Sequence, residues 1–441
     1  MEYKTANLAL KFLFLSWSIS SLAFACYLPI GSSKLLGSFE QINLFAAYSY
    51  LLICVSLIAL GIVWGNPSYL RKEPNHVNHI ENLLRTHVYE RKYFAINSLL
   101  IYASTAFILL AGVAAFAKSG FTGDLESQRA LHVSSATSGG LIDYLGQFGQ
   151  TMATLVSVAL PWSREVKLIS KVILLTSIFL ASTLISLSTG GRISILVCFV
   201  LPLLMNIIIK NNRVLFRRGK MLRNLFASFG ILILCGLISS GFAVFQYYRT
   251  ASYIDIYIGA TIKPYEDFFA QLGVHGLANI IISYGASMII GYLSNCFQFF
   301  PHFFEVYKPH PLLGAYQFNF ISSRFPGFDW FSWKDEVEAC YRYFGLFGNV
   351  WGSYVRDYVV DFGKIWTPLF SFYTGFFIGF LEQRAMRKLS FFILYVMMLS
   401  WLVMSPYYSL FLFRPFHIGI IFMSGWVLIE LFSPQKVMAK D

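Results

Sequence analysis

A chain of 441 residues with 56% hydrophobic residues, a mean hydropathy of +0.60 and only 13% charged residues is not a soluble domain, since soluble domains carry about a quarter charged residues. Its net charge of +12 would point to nucleic acid in a soluble protein; in so apolar a chain the placement of the basic residues matters instead, and nucleic acid is excluded as a partner. The apolar residues recur in runs of about twenty, enough for a helix to cross a bilayer, and they lack the period-two alternation of a barrel strand. The expected fold class is therefore all-α, a polytopic integral membrane protein of about 10 transmembrane helices, because lipid leaves the backbone no other way to satisfy itself.

The chain opens "MEYKTANLALKFLFLSWSISSLAFACYLPI". Its apolar run exceeds the h-region of a signal peptide, about 7–15 residues, and is read as a retained first span, 8–30. Further spans are expected at 42–64, 95–117, 141–162, 168–188, 193–209 and 224–245, then at 365–381, 389–405 and 416–433. Basic residues collect on one side, in 65–94, 163–167, 210–223, 382–388 and both tails; "KNNRVLFRRGKMLRN" alone holds six. The short loops of the other side hold only Lys34, Lys118, Arg129, Arg192 and Arg414. By the positive-inside rule both termini of this multi-pass chain are cytoplasmic. His76, His79 and His87 lie on a charged connector and are read as solvated.

Between the fifth and sixth spans stands "SLSTGGRISIL" (186–196), a tight outward turn built on Gly190, Gly191 and Arg192. Arg192 either snorkels and caps a helix end or offers its planar fork to a phosphate, with two glycines leaving room for the ligand. Arg249, in "FQYYRTASY" after the seventh span, has the same two readings at the same membrane level.

Residues 246–363 form one large outside loop between spans seven and eight, inserted in a single membrane domain covering 1–441. A loop of that size is expected to carry its own short helices. "HGLANIIISYGASMIIGYL" (275–293) is read as a helix that packs on the surface or re-enters without crossing, because a crossing would invert the charge bias downstream. The aromatic pieces "YQFNF", "RFPGFDWFSW" and "YRYFG" suit either a membrane interface or sugar stacking. Cys296 and Cys340 lie on the oxidising side and are either free thiols or a disulfide. "KDEVE" (Asp335, Glu336, Glu338) reads as a solvated helix start. There is no P-loop, no dinucleotide-binding fingerprint and no zinc-type cluster, so no cofactor and no metal site are expected.

The informative stretch is "GLFGNVWGSYVRDYVVDFGKIW" (345–366). If 354–361 is helical, Asp357 and Asp361 share a face, which like charges disfavour. Lys364 is placed to satisfy Asp361, and Arg356 to point to a neighbouring face. The cluster is either a helix-end ion-pair group or a catalytic carboxylate beside phosphate-binding cations.

This layout resembles the bacterial O-antigen and capsule oligosaccharide repeat-unit polymerases of the Wzy type. The resemblance rests on the late periplasmic loop, the turn Gly190–Gly191–Arg192, and the Asn- and aromatic-rich stretch from Asn349 to Asp361, Phe362 and Gly363. It implies a metal-independent membrane glycosyltransferase that polymerises undecaprenyl-diphosphate-linked oligosaccharide into O-antigen, capsule or exopolysaccharide on the periplasmic side. Arg192 and Arg249, then Arg356 and Arg342, are the candidates for the substrate diphosphate; Asp357, Asp361, His302 and His310 are the candidate bases. Expected partners are the lipid-linked oligosaccharide and membrane lipid, with a chain-length regulator protein left open. An O-antigen ligase-type transferase and a flippase for lipid-linked oligosaccharide are the alternatives; the long outer loop argues against the flippase.

Overall fold

The structure is a computed structural model that describes residues 8–30, 37–67, 98–119, 141–163, 165–189, 199–215, 263–287, 290, 292–308, 312–318, 322, 330–344, 352–385 and 388–432. Among them the protein is all helical, with no strand. The helices are α1 (Leu8–Tyr27), α2 (Leu44–Gly65), α3 (Ser98–Ser119), α4 (Leu141–Ala159), α5 (Leu168–Thr189) and α6 (Leu201–Leu215). They are followed by α7 (Gly276–Ala286), α8 (Tyr292–Val306), α9 (Trp330–Tyr343), α10 (Tyr354–Arg384), α11 (Leu389–Met404) and α12 (Arg414–Phe432). Five are long and apolar enough to cross a membrane: α1, α2, α3 over Ser98–Lys118, α5 over Leu168–Ile185, and α12. Large apolar side chains stay exposed along them, as at Leu99 and Leu168, which suits a lipid-facing surface rather than water.

Helices lie where eight of the expected spans were placed. The stretch expected at 224–245 lies outside the described residues. The stretch expected at 193–209 is helical from Leu201, and the helix runs on to Leu215 through Lys210 and Arg213. No glycine or proline follows the last apolar residue there, so nothing stops the helix where the hydrophobicity stops. Within the 275–293 stretch the described residues include α7, Gly276–Ala286, and the first residues of α8.

The central bundle is built on α2 and the second half of α10. They run parallel, in contact through two reciprocal glycine pairs, Gly61 and Gly65 on α2 ("GIVWG") and Gly375 and Gly379 on α10 ("GFFIG"). A Cβ on Gly61 would collide with the Phe372 carbonyl, and one on Gly375 with the Ile58 carbonyl. Backbone-to-backbone approach of this kind is how helices associate where lipid removes the hydrophobic drive.

Two prolines inside helices are repaired from α2. Pro368 in α10 has no N–H for the Lys364 carbonyl four residues back, and the Tyr50 hydroxyl donates to that carbonyl at 2.6 Å. Pro301 in α8 likewise leaves the Phe297 carbonyl without its donor, and Tyr48 donates to it at 2.9 Å. At the far end of the bundle Glu382, 2% exposed, ties four elements together. Its Oε1 accepts from the Leu8 and Ala9 amides at 3.1 and 3.3 Å and from the Tyr395 hydroxyl at 2.8 Å; its Oε2 accepts from Asn66. The carboxylate thereby caps the first described turn of α1 from a distant helix, accepting from two main-chain amides there.

One continuous core joins α1, α2, the end of α4 at Val158 and Ala159, α6, α8, α9, α10, α11 and α12. A second core joins α3, α4 and α5 as a flanking wing. The turn at Leu160–Trp162 locks the two together. Trp162 meets Phe392 of α11 edge to face at 4.9 Å and donates to Asn206 of α6, whose amide donates on to the Val158 carbonyl.

Candidate functional site

The first half of α10 is a short helix set apart from the long second half by a kink. Ser353, extended at φ −62 and ψ 160, caps the helix by accepting from the Arg356 amide at 3.4 Å. Helical geometry then fails at Gly363, where φ 72 and ψ 169 fall in a region essentially reserved for glycine. The chain reverses there. Phe362 stacks on Phe370 at 3.7 Å and the Tyr358 hydroxyl meets that of Thr374 at 2.7 Å. Those two pairs have the register of an antiparallel hairpin, so residues 354–362 lie back along the start of the long second half. The Tyr354 amide donates to the Ser405 carbonyl at 2.9 Å, and Ser405 Oγ accepts from Trp17 of α1 at 3.1 Å. The short half-helix therefore starts deep in the bundle, between α1 and the end of α11.

Two charges are buried on that half-helix. Arg356 is 1% exposed and Asp357 0%. Rather than pointing to a neighbouring face, the guanidinium turns back onto Asp357, with Nε and Nη2 at 3.0 and 2.8 Å from Oδ1, while Nη1 reaches the Tyr341 hydroxyl at 3.5 Å. The fork lies across Gly352, where any Cβ would collide with it. Tyr316, Tyr341 and Tyr408 surround the pair, and the Ser409 amide faces the carboxylate. Asp357 Oδ2 is buried and has no hydrogen bond among the described residues. Leaving a buried acceptor in that state costs about 1–3 kcal/mol.

Asp361, on the next turn, is also fully buried, and its partner is not Lys364. Lys364 Nζ donates to the Phe304 carbonyl at 2.6 Å and sits over that residue's ring. Asp361 Oδ1 and Oδ2 accept instead from the Tyr316 and Gln317 amides, at 2.8 and 3.1 Å. The like-charge conflict of two carboxylates one turn apart is thus relieved by a guanidinium on one and main-chain amides on the other, a solution that needs a segment 44 and 45 residues away in sequence.

The other candidates scatter. His302 is buried on α8, away from the Arg356–Asp357 contacts. Its Nδ1 meets the Gln298 carbonyl at 3.0 Å, so that nitrogen carries the hydrogen, and Nε2 accepts from the Ser38 hydroxyl at 2.7 Å. Burial pushes its pKa down to about 4. With its one lone pair taken, it is a poor base. Arg342 is exposed on α9 and bonds the Asp335 carbonyl at 3.3 Å. Asp335 and Glu336 are exposed as well. Cys296 and Cys340 are separate buried thiols. Arg192, Arg249 and His310 lie outside the described residues.

Several members of the cluster were not singled out from sequence. Tyr316 and Gln317 sit in "YQFNF" and Tyr341 in "YRYFG", stretches noticed only for their aromatic content. Tyr408 and Ser409 lie in a short link after α11 that carries no motif. The search for relatives returned nothing: no family model, no curated protein and no solved structure matches this chain.

Proposed function

We propose that the chain is a membrane glycosyltransferase that polymerises undecaprenyl-diphosphate-linked oligosaccharide repeat units on the periplasmic side of a bacterial inner membrane. In this reading about ten spans, both termini cytoplasmic, carry the site, and the late segment 246–363 supplies it. The observation that carries the proposal is the divided Asp357 carboxylate. One oxygen is held by Arg356, which fixes its orientation, and the other is buried with no hydrogen bond among the described residues. An oxygen so placed suits a hydroxyl group brought by a ligand.

The chemistry follows from those two side chains. The acceptor hydroxyl oxygen attacks the anomeric carbon of the donor glycan, and its proton passes to Asp357 Oδ2 as the new glycosidic bond forms. The anomeric carbon–oxygen bond to the diphosphate breaks, and the electron pair leaves with the undecaprenyl diphosphate. Arg356 stands beside the carboxylate to share that developing charge, with Arg192 and Arg249 as the outer contacts of the phosphates. The helix start at Tyr354 adds partial positive charge on the same side. A diphosphate is already a good leaving group, so no strong general acid is required, and no cofactor or metal enters the scheme. Partners in this reading are the lipid-linked oligosaccharide, membrane lipid and a chain-length regulator protein.

The test is complementation of cells lacking the gene, with glycan read as a ladder on a gel. Asp357→Asn and Arg356→Lys, each checked for normal membrane abundance, are expected to give single repeat units, made and exported, with long chains reduced about a hundredfold or more. A normal ladder from both variants would overturn the assignment. Long chains made but left unattached would identify a ligase, and repeat units held on the cytoplasmic leaflet a flippase.

A further inference from the structure

Asp361 was a candidate base on sequence, yet both of its oxygens are already engaged by main-chain amides. Its carbonyl is engaged too, accepting from the Leu312 and Leu313 amides at 2.8 Å each. Four amides of one short strap, 312–317, are thus pinned to a single residue on the hairpin. The strap needs pinning. Leu313 has φ 54, in the left-handed region that L residues avoid, and its side chain is 82% exposed. Nothing about that residue's own packing holds the turn.

What the strap carries inward is Gln317, 2% exposed, whose Oε1 accepts from the Ser409 hydroxyl at 3.1 Å. Ser409 in turn presents its main-chain amide to the Asp357 carboxylate. A continuous line of contacts therefore runs from Asp361 through Gln317 and Ser409 to Asp357, all buried, and it joins three segments far apart in sequence.

We propose that Asp361, Gln317 and Ser409 form a positioning relay that sets the Asp357 carboxylate, with Asp361 a positioning residue and not the base. The inference rests on the reading of Asp357 given above. The Ser409 amide approaches the carboxylate from the link after α11, while Arg356 holds Oδ1 from the hairpin itself, so two separate segments bear on its orientation. A fixed orientation is what proton transfer from a bound hydroxyl requires, since small misplacements of a reacting group cost rate steeply.

The test uses the full chain in detergent micelles and compares Asp361→Asn, Ser409→Ala and Ser409→Thr. Amide hydrogen exchange is read first. The relay predicts that Asp361→Asn speeds exchange about tenfold over 312–318 and also over 405–410, while α2 is unchanged. In a transfer assay with undecaprenyl-diphosphate-linked repeat units, Asp361→Asn and Ser409→Ala are each expected to lower turnover about tenfold or more at unchanged half-saturating acceptor. The acid limb of the pH–rate profile should move to higher pH in both, because the Ser409 amide, still present but no longer held in place, stabilises the carboxylate less. Ser409→Thr, which keeps the hydroxyl, should restore rate and profile. Exchange at 405–410 that ignores Asp361→Asn would overturn the relay, as would a pH profile unmoved by Ser409→Ala. If the wild-type chain transfers no glycan, the proposed function falls, while the exchange result still decides whether the three residues are coupled.

Discussion

His302 has surroundings that make a prediction of their own. Phe39 and Phe344 flank its ring, at 5.2 and 4.9 Å, and Ser38 holds Nε2. The imidazole therefore joins α8 to the turn before α2 and to the end of α9. Burial disfavours its charged form, so its pKa is about 4 against an ordinary 6.5. The unfolded chain binds the extra proton first as pH falls. Stability is then full above about pH 6.5 and is lost progressively as pH falls through 6.5 toward 4. Thermal unfolding in detergent should show a midpoint that drops over this window in the wild type. In His302→Gln, which keeps a polar partner for Ser38 but cannot be protonated, the drop should be smaller; an identical drop would mean that the titrating group is elsewhere. Asp361 makes a parallel point: a residue's chemical type named it a base, and its surroundings made it an anchor.

Each interior proline leaves its helix with one carbonyl that has no donor of its own, and in both cases a tyrosine of α2 supplies the missing hydrogen. The interaction predicts a cycle. Tyr50→Phe leaves the Lys364 carbonyl without a donor and should cost about 1–3 kcal/mol. In a Pro368→Ala background the helix regains its own amide, so the same Tyr50→Phe change should cost much less. Equal costs in the two backgrounds, measured by denaturant or thermal unfolding, would exclude the repair. These relations were only partly legible in the sequence. "GIVWG" and "GFFIG" are small-residue pairs at helical spacing and could have been read as a contact, though not as a contact with each other. Tyr48 and Tyr50 could not have been matched to Pro301 and Pro368, because the partners are 249 and 314 residues from the carbonyls they serve. The helix over 354–361 that the shared-face argument supposed is present. Its reversal was hidden, because "DFG" does not state whether its glycine sits at φ −60 or at φ 72, and that one dihedral decides whether Asp361 leads into a span or turns under a strap.

At the scale of the whole molecule, composition announced a helical membrane protein and hydropathy placed most of its helices, because both depend on local sequence alone. Which helices share a core is a question of long-range pairing. The structure answers it with a central bundle that carries the Arg356–Asp357 cluster and a wing of α3, α4 and α5 that has an apolar core of its own, with α4 also reaching the bundle through Val158, Ala159 and Thr151. The wing is close-packed in itself, with Gly112 set against Ala181 and Gly149 against Ala111. Its side-chain lock on the bundle includes Trp162, whose ring meets Phe392 and whose indole N–H meets Asn206. Cutting that side chain back to alanine removes a large half-buried surface and leaves Asn206, itself 1% exposed, short of a partner. The cost should be about 3 kcal/mol, and it should fall on the joint rather than on either core. Trp162→Ala is therefore expected to raise amide exchange in α6 and along 160–167 while leaving α2 and α10 protected, because the glycine contacts and the Glu382 ties that hold those helices lie wholly within the bundle. Loss of protection throughout α2 and α10 would mean that wing and bundle open as one cooperative unit. The Arg356–Asp357 cluster would then depend on the wing for its burial, and not on the hairpin and strap alone.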